Sequence, residues 1–262
     1  MVSIGITEWG EQEFAGSREA WTDLLENSSA DRLFMSWEWL HTWWRTFAVP
    51  GEMKLRLFVA IDADGRLVGI APLYVSRTIT RKFLRTKRLQ FIGNRWRGPS
   101  TMPTELQDFI TRSSESGRVT REFLAYINSR KDWDEFVLHG LNRAGSTCRL
   151  LESERPLADC YYRNAEQAES YYLDTTGSFE EYLEGLGKSI RLRIYKRRKL
   201  LNSLGEVKYE RLSTDNLDEL FEALNYLHEM RWESPVFAHN RLEFNQCVAS
   251  LFAEKNQLAF SQ

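Results

Sequence analysis

The chain has 262 residues, 42% of them hydrophobic and 27% charged, with a formal net charge of −2. That balance excludes a disordered or fibrous polymer, and the near-neutral charge excludes a molecule-wide field that would draw in nucleic acid or an anionic membrane. Aromatic residues make up 13%, including nine Trp, which is enough to build a substantial core.

The first residues, "MVSIGITEWGEQEF", have neither a basic start nor an apolar run, so a signal peptide is not expected. No apolar stretch approaches the roughly 20 residues a membrane span needs. Cys148, Cys160 and Cys247 are far apart and lack metal-ligand spacing, which predicts reduced thiols, a cytoplasmic location and no metal.

In chain order, Ser17 to Asn27 is an amphipathic helix. "SWEWLHTWWRTFA" (Ser36–Ala48) is a second, with Ser36 as N-cap and Trp37, Leu40, Trp44 and Phe47 on one face. The period then changes. Leu55–Ile61 and Arg66–Ser76 alternate across the turn "DADG", which predicts a β-hairpin. Gly69 and Pro72 in its second strand predict a bulge or an edge. Arg77–Arg88 is a basic connection, "LQFIG" a strand, and Asn94–Gln107 an irregular loop. A helix near Val119–Asn128, a strand at Trp133–Leu141 and a helix around Arg149–Leu151 follow, and "CYYRNA" and "SYYLDT" are predicted strands.

The second half opens on "SFEE" (Ser178–Glu181), a capping box. Lys188–Gly205 is a helix, Glu206–Leu212 a strand, and Asp215–Trp232 and Asn240–Lys255 are helices, the last with Asn and Glu at capping-box spacing. Leu258 and Phe260 begin another strand.

Familiar catalytic signatures are absent: there is no HExxH and no GxSxG. "GLGKS" (Gly185–Ser189) fails as a phosphate loop because Tyr182 stands where the first glycine belongs. The helix from Lys188 is the strongest local feature. Seven of the twelve residues Lys188–Lys199 are basic, and no acid follows until Glu206. Like charges on adjacent turns repel, so such a run either holds an anion or is a solvated face. The Trp row is core by its spacing, with a ligand groove as the alternative; Trp37, His41, Arg45 and Arg231 are the cleft candidates. Asp132, Asp134 and Glu135 are a turn and a strand end, or a carboxylate cluster for general-base work.

Taken in order, "FMSWEWLHTWWRTF", "RLFVAIDADGRLVGIAPLYV", "RLQFIG", "WDEFVLHGL" and "SYYLDTTGSFEEYLEGLGKSIRLRIYKRRKLLNSLGEVKYERL" resemble the CelD/BcsL group of GNAT acyltransferases. That group is similar to the FemAB-type double-GNAT proteins. The resemblance runs from about Phe34 to the end. It implies an α/β (α+β) fold of tandem GNAT-like halves, with mixed sheets flanked by helices. The halves would be residues 1–165 and an incomplete 166–262, with "LAFSQ" opening a hairpin whose other strands are missing. It implies acyl transfer from acetyl-CoA or another acyl-CoA to an amine or hydroxyl of a small-molecule or glycan acceptor, in polysaccharide or cell-envelope biosynthesis. FemAB relatives use aminoacyl-tRNA instead. Carried over, Lys188, Arg191, Arg197 and Arg198 are anion contacts, and no catalytic base is named. The [RQ]xxGx[GA] phosphate pattern is not found: "RWRGPS" has a glycine after Arg but not the one that should follow. From other classes come a non-catalytic anion- or RNA-binding module using the same helix, and an inactive fragment.

Overall fold

The computed structural model describes residues 4–80, 84–99, 101–130, 132–157, 160–164, 169, 171, 173–174, 176–206, 211–212, 215–258 and 260–261. The chain forms two compact units, one of Met1–Cys160 with Thr214–Leu258, the other of Tyr161–Ser213 with Ala259–Gln262. The boundary expected at 165–166 falls outside the described residues.

The first unit is a mixed sheet with helices on both faces. Its strands are β1 (Gly5–Trp9), β2 (Met53–Ile61), β3 (Leu67–Thr80), β4 (Leu84–Phe91), β5 (Ile110–Thr111) and β6 (Glu135–Val137). The order is β1-β2-β3-β4-β6, with β5 on β3. These pairs are antiparallel except β4–β6, which is parallel. The hairpin expectation holds and is exceeded: β3 runs on to Thr80 and pairs with β4 from Leu84, so most of the expected basic connection is strand. The strand predicted at Trp133–Leu141 shortens to β6.

Side-chain alternation sends Leu55, Leu57 and Val59 to one face and Phe58 and Ala60 to the other. Both sets are buried, so the sheet is covered twice. The first face meets α1 (Glu11–Gly16), α2 (Arg18–Glu26) and α3 (Trp37–Phe47); the second meets α4 (Ser116–Ser129) and α5 (Ser146–Ser153). Ser36 caps α3, its Oγ accepting from Trp39 N at 3.2 Å.

Both β3 irregularities have a local cause. The register shifts at Ala60/Ile61, opposite Gly69. A Cβ on Gly69 would lie 2.5 Å from Val119 Cγ1 and 2.8 Å from Phe123, so only glycine lets α4 come this close. Pro72 pairs with Leu57 of β2, but on its other side the pairing with β5 ends at Ile70 and that with β4 begins at Leu73, where Pro72 O accepts from Ile92 N at 2.9 Å, so its missing N–H falls between the two ladders.

Two late helices, α8 (Leu217–Trp232) and α9 (Asn240–Glu254), belong to this first unit. Phe244, Val248 and Phe252 of α9 join the core of Trp39 and Phe47 on α3. Glu38 of α3, 1% exposed, ties that helix to α2 and to the end of α9: it takes Arg18 Nε at 2.9 Å and Lys255 Nζ at 2.6 Å. The capping box expected at Asn240 is not formed; His239 is the N-cap, at φ 51°, without a side-chain cap.

The second unit has α6 (Phe179–Gly185), α7 (Lys188–Leu204), β7 (Arg211–Leu212) and β8 (Phe260–Ser261). The capping box is made as expected: Glu181 N donates to Ser178 Oγ at 3.1 Å, and Ser178 N to Glu181 Oε2 at 2.7 Å. β7 and β8 pair antiparallel, Leu212 opposite Phe260, so the last residues do enter a strand. Of the predicted strands "CYYRNA" and "SYYLDT", residues 160–164 form none, and much of the remainder lies outside the described residues.

Candidate functional site

A spacing of four places Trp37, His41 and Arg45 in one row along α3. The structure packs the first two against each other, with Trp37 buried and His41 half-buried. The Trp37 indole is buried, donates from Nε1 to Phe14 O at 2.8 Å, and stacks on His41 at 4.3 Å between ring centroids. Phe14 meets the same imidazole edge-on at 5.0 Å. Burial, helped by the neighbouring Arg45 charge, holds the His41 pKa down to about 4. Arg45 itself is exposed. Arg231, in the last turn of α8, lies 4.4 Å over the ring of Trp232, and both side chains are exposed.

The carboxylates near β6 are engaged by basic or backbone donors. Asp132 takes Arg56 Nη2 at 2.6 Å and Arg130 Nη2 at 3.3 Å. Asp134 accepts from Lys87 N at 2.7 Å, and Glu135 pairs with the buried Arg88 at 2.8 Å. They fasten the start of β6 to β2 and β4. Arg130 and Arg56 together, after the cost of burial, pull the Asp132 pKa below its ordinary value, the reverse of what a general base at neutral pH needs.

α7 buries none of its seventeen residues. The four expected anion contacts do not share one face. Arg191 and Arg198, seven residues apart, lie together on the less exposed side, where Arg198 sits 5.8 Å over Phe179 of α6. Lys188 is at the border of that side. Arg197 follows Lys188 by nine residues, which at about 100° per residue turns it to the opposite side.

The feature missed in the sequence is the wedge where β4 and β6 part, inside the segment assigned as irregular loop. Asn94, just past β4, donates from Nδ2 to Thr104 O at 2.8 Å, to Gln107 Oε1 at 2.6 Å and to His139 O at 3.1 Å. Gln107 is fully buried, gives Nε2 to Ile92 O at 2.6 Å, and forms a parallel bridge with Leu141. Its backbone N–H donates to Gly140 O at 2.8 Å, and its carbonyl accepts from Asn142 N at 2.7 Å. Next to it, Asp108 accepts from Ser146 N at 2.8 Å and Thr147 N at 3.1 Å, at the start of α5. Burial pushes the Asp108 pKa up in spite of these bonds. Gly93 was the available signal. It stands at φ 109°, and a Cβ there would lie 2.4 Å from Thr104 Oγ1, so the loop closes tightly on the end of β4.

Among the described residues, no group of three or more His, Cys, Asp or Glu is arranged to hold a metal ion, and no helix is long and apolar enough to cross a membrane. Comparisons with protein-family models, with curated proteins and with solved structures return no match.

Proposed function

We propose that the chain serves acyl transfer from an acyl-CoA to an amine or hydroxyl acceptor, as the sequence resemblance implies. The observation that supports this reading is the exposed basic helix α7, which holds Lys188, Arg191 and Arg198 and contains no acid; the first unit adds a β4–α4–β6 crossover, a parallel pair at the edge of an otherwise antiparallel sheet, paired as far as Val137. Parting parallel strands leave backbone N–H and C=O groups at their carboxyl ends, and crevices there are where open α/β sheets take ligands. The pantetheine arm of CoA, with its two amides, can pair with such groups.

In the first unit that opening is closed. Gly140 O and Asn142 N, which an arm would use, are occupied by Gln107. The proposal therefore gives this sheet the role of a frame and assigns the cofactor's phosphates to the second unit, with Lys188, Arg191 and Arg198 as contacts. The acceptor nitrogen or oxygen attacks the thioester carbonyl, its new bond to carbon forms, the C–S bond breaks, and CoA thiol leaves with the acceptor's proton.

The test is thermal unfolding with acetyl-CoA at low and high salt. A ligand bound only by the folded chain raises Tm by mass action. A rise that shrinks with salt, and that Lys188→Ala with Arg191→Ala removes, is the expected result. Cooperative melting with no shift at any acetyl-CoA concentration overturns the proposal.

A further inference from the structure

We propose that the side of α7 opposite α6 is a docking surface for an anionic lipid bilayer. Ser189, Leu192, Arg193, Lys196, Arg197 and Leu200 line one continuous side of this helix. Leu204, one turn beyond Leu200, extends it. The side is distinct from that of Arg191 and Arg198, so the inference stands apart from the acyl-CoA reading.

Two properties of this side select the partner. The first is charge. Seven Lys or Arg fall between Lys188 and Lys199, and α7 contains no acid. The molecule's net charge of −2 does not cancel this locally, because salt screens exposed charges beyond about 10 Å. An anionic surface is the complementary partner.

The second is aliphatic exposure among those charges. Leu192 is 48% exposed, Leu200 61% and Leu204 78%. A polynucleotide groove uses cations with aromatic stacking platforms and gains little from leucine. A helix lying in the headgroup region gains from both. Its leucines enter the acyl boundary, while Arg193, Lys196 and Arg197 extend past them to the phosphates. The i, i+4, i+8 spacing of Leu192, Lys196 and Leu200 interleaves the two kinds of side chain on one side, as interfacial binding requires. No spanning helix is needed.

The experiment is co-sedimentation of the full chain with phosphatidylcholine vesicles and with vesicles that also contain phosphatidylglycerol, at low and high salt. We expect binding at least about tenfold tighter to the anionic vesicles, weakened by salt. Arg193→Glu with Lys196→Glu abolishes it, and Leu192→Ser with Leu200→Ser weakens it at low salt. These side chains are exposed, and matching circular dichroism and melting curves certify that the variants fold. As an independent arm on the unaltered chain, soluble glycerol phosphate should compete poorly, since it offers the headgroup charge without the acyl boundary. Absence of binding to anionic vesicles overturns the proposal. So does binding indifferent to the leucine changes, or efficient competition by glycerol phosphate, each of which indicates a site for free phosphate. Single-stranded RNA bound in preference to vesicles overturns it in favour of a nucleic-acid surface.

Discussion

Two helices of this chain use apolar residues in opposite ways. α3 has eleven residues and buries eight; α7 has seventeen and buries none. Composition alone does not separate them, because α7 carries seven apolar side chains: Ile190, Leu192, Ile194, Tyr195, Leu200, Leu201 and Leu204. Their placement does. On α3, Trp37, Leu40, Trp44 and Phe47 fall in one sector, and Trp43 and Trp39 widen it. On α7 Ile190, Ile194, Leu201 and Leu204 fall in one sector, but Arg197 stands inside it and Leu192, Tyr195 and Leu200 lie outside it, with a Lys or Arg in every turn from Lys188 to Lys199. Burying any sector of α7 would therefore bury cations, at a cost that hydrophobic contact does not offset unless each is paired.

The largest expected effect follows on the α3 side of this contrast. Trp43 is fully buried, packs against Phe47 and Tyr74, and donates from Nε1 to Met102 O at 3.1 Å. Trp43→Ala removes the ring and leaves that carbonyl without its donor, so a loss of about 3–5 kcal/mol is expected in chemical denaturation. A loss below about 1 kcal/mol, the size of an ordinary substitution, would mean that α3 is not the core helix described.

A smaller effect is pH-dependent and also belongs to α3. The folded pKa of His41, about 4, is below its ordinary 6.5. Below pH 6.5 the unfolded chain binds a proton that the folded chain refuses, so this contribution is complete above 6.5 and is lost as pH falls towards about 4. Glu38 acts further down. Burial raises its pKa, but the hydrogen bonds from Lys255 and Arg18, with that of its own backbone, outweigh it and leave the carboxyl below 4.5. Its contribution is present above 4.5 and is lost as pH falls through the lowered folded value. Tm followed from pH 7 downwards should decline in both windows. His41→Asn should flatten the upper one and Glu38→Gln the lower. An unchanged slope in His41→Asn would show that His41 titrates as an exposed histidine does.

The same contrast explains what the sequence made legible. α3, the β2–β3 hairpin and the capping box of α6 were readable because each is local: a sector, an alternation, a reciprocal pair of side chains within three residues. The closed wedge was not. Asn94, Gln107, Asp108 and Leu141 come together only after β4, α4 and β6 are placed, and nothing in "NRWRGPSTMPTELQ" marks Gln107 as a substitute for a strand. The return of α9 to the first unit was hidden for the same reason. Its partners Trp39 and Phe47 lie about two hundred residues earlier, and the i, i+4, i+8 row of Phe244, Val248 and Phe252 marks a buried face without marking the helix it packs on. For α7 the charge run was plain, but which cations share a side required the helix to be built.

The smallest expected effect tests the α7 side. Leu200→Ala and Leu204→Ala remove side chains that are already mostly in water, so each should change stability by no more than about 0.5 kcal/mol. Arg197→Ala should move it the other way. Arg193 and Arg197 are four residues apart on one side, and relieving such a like-charge pair is worth a few tenths of a kcal/mol at low salt. That gain should fade as salt rises, since screening already weakens the repulsion. Chemical denaturation of the three variants at two ionic strengths reads all of this. If Leu200→Ala cost as much as a core truncation, α7 would have a packed partner on that side, and its leucines would be the edge of a second core instead of an exposed surface.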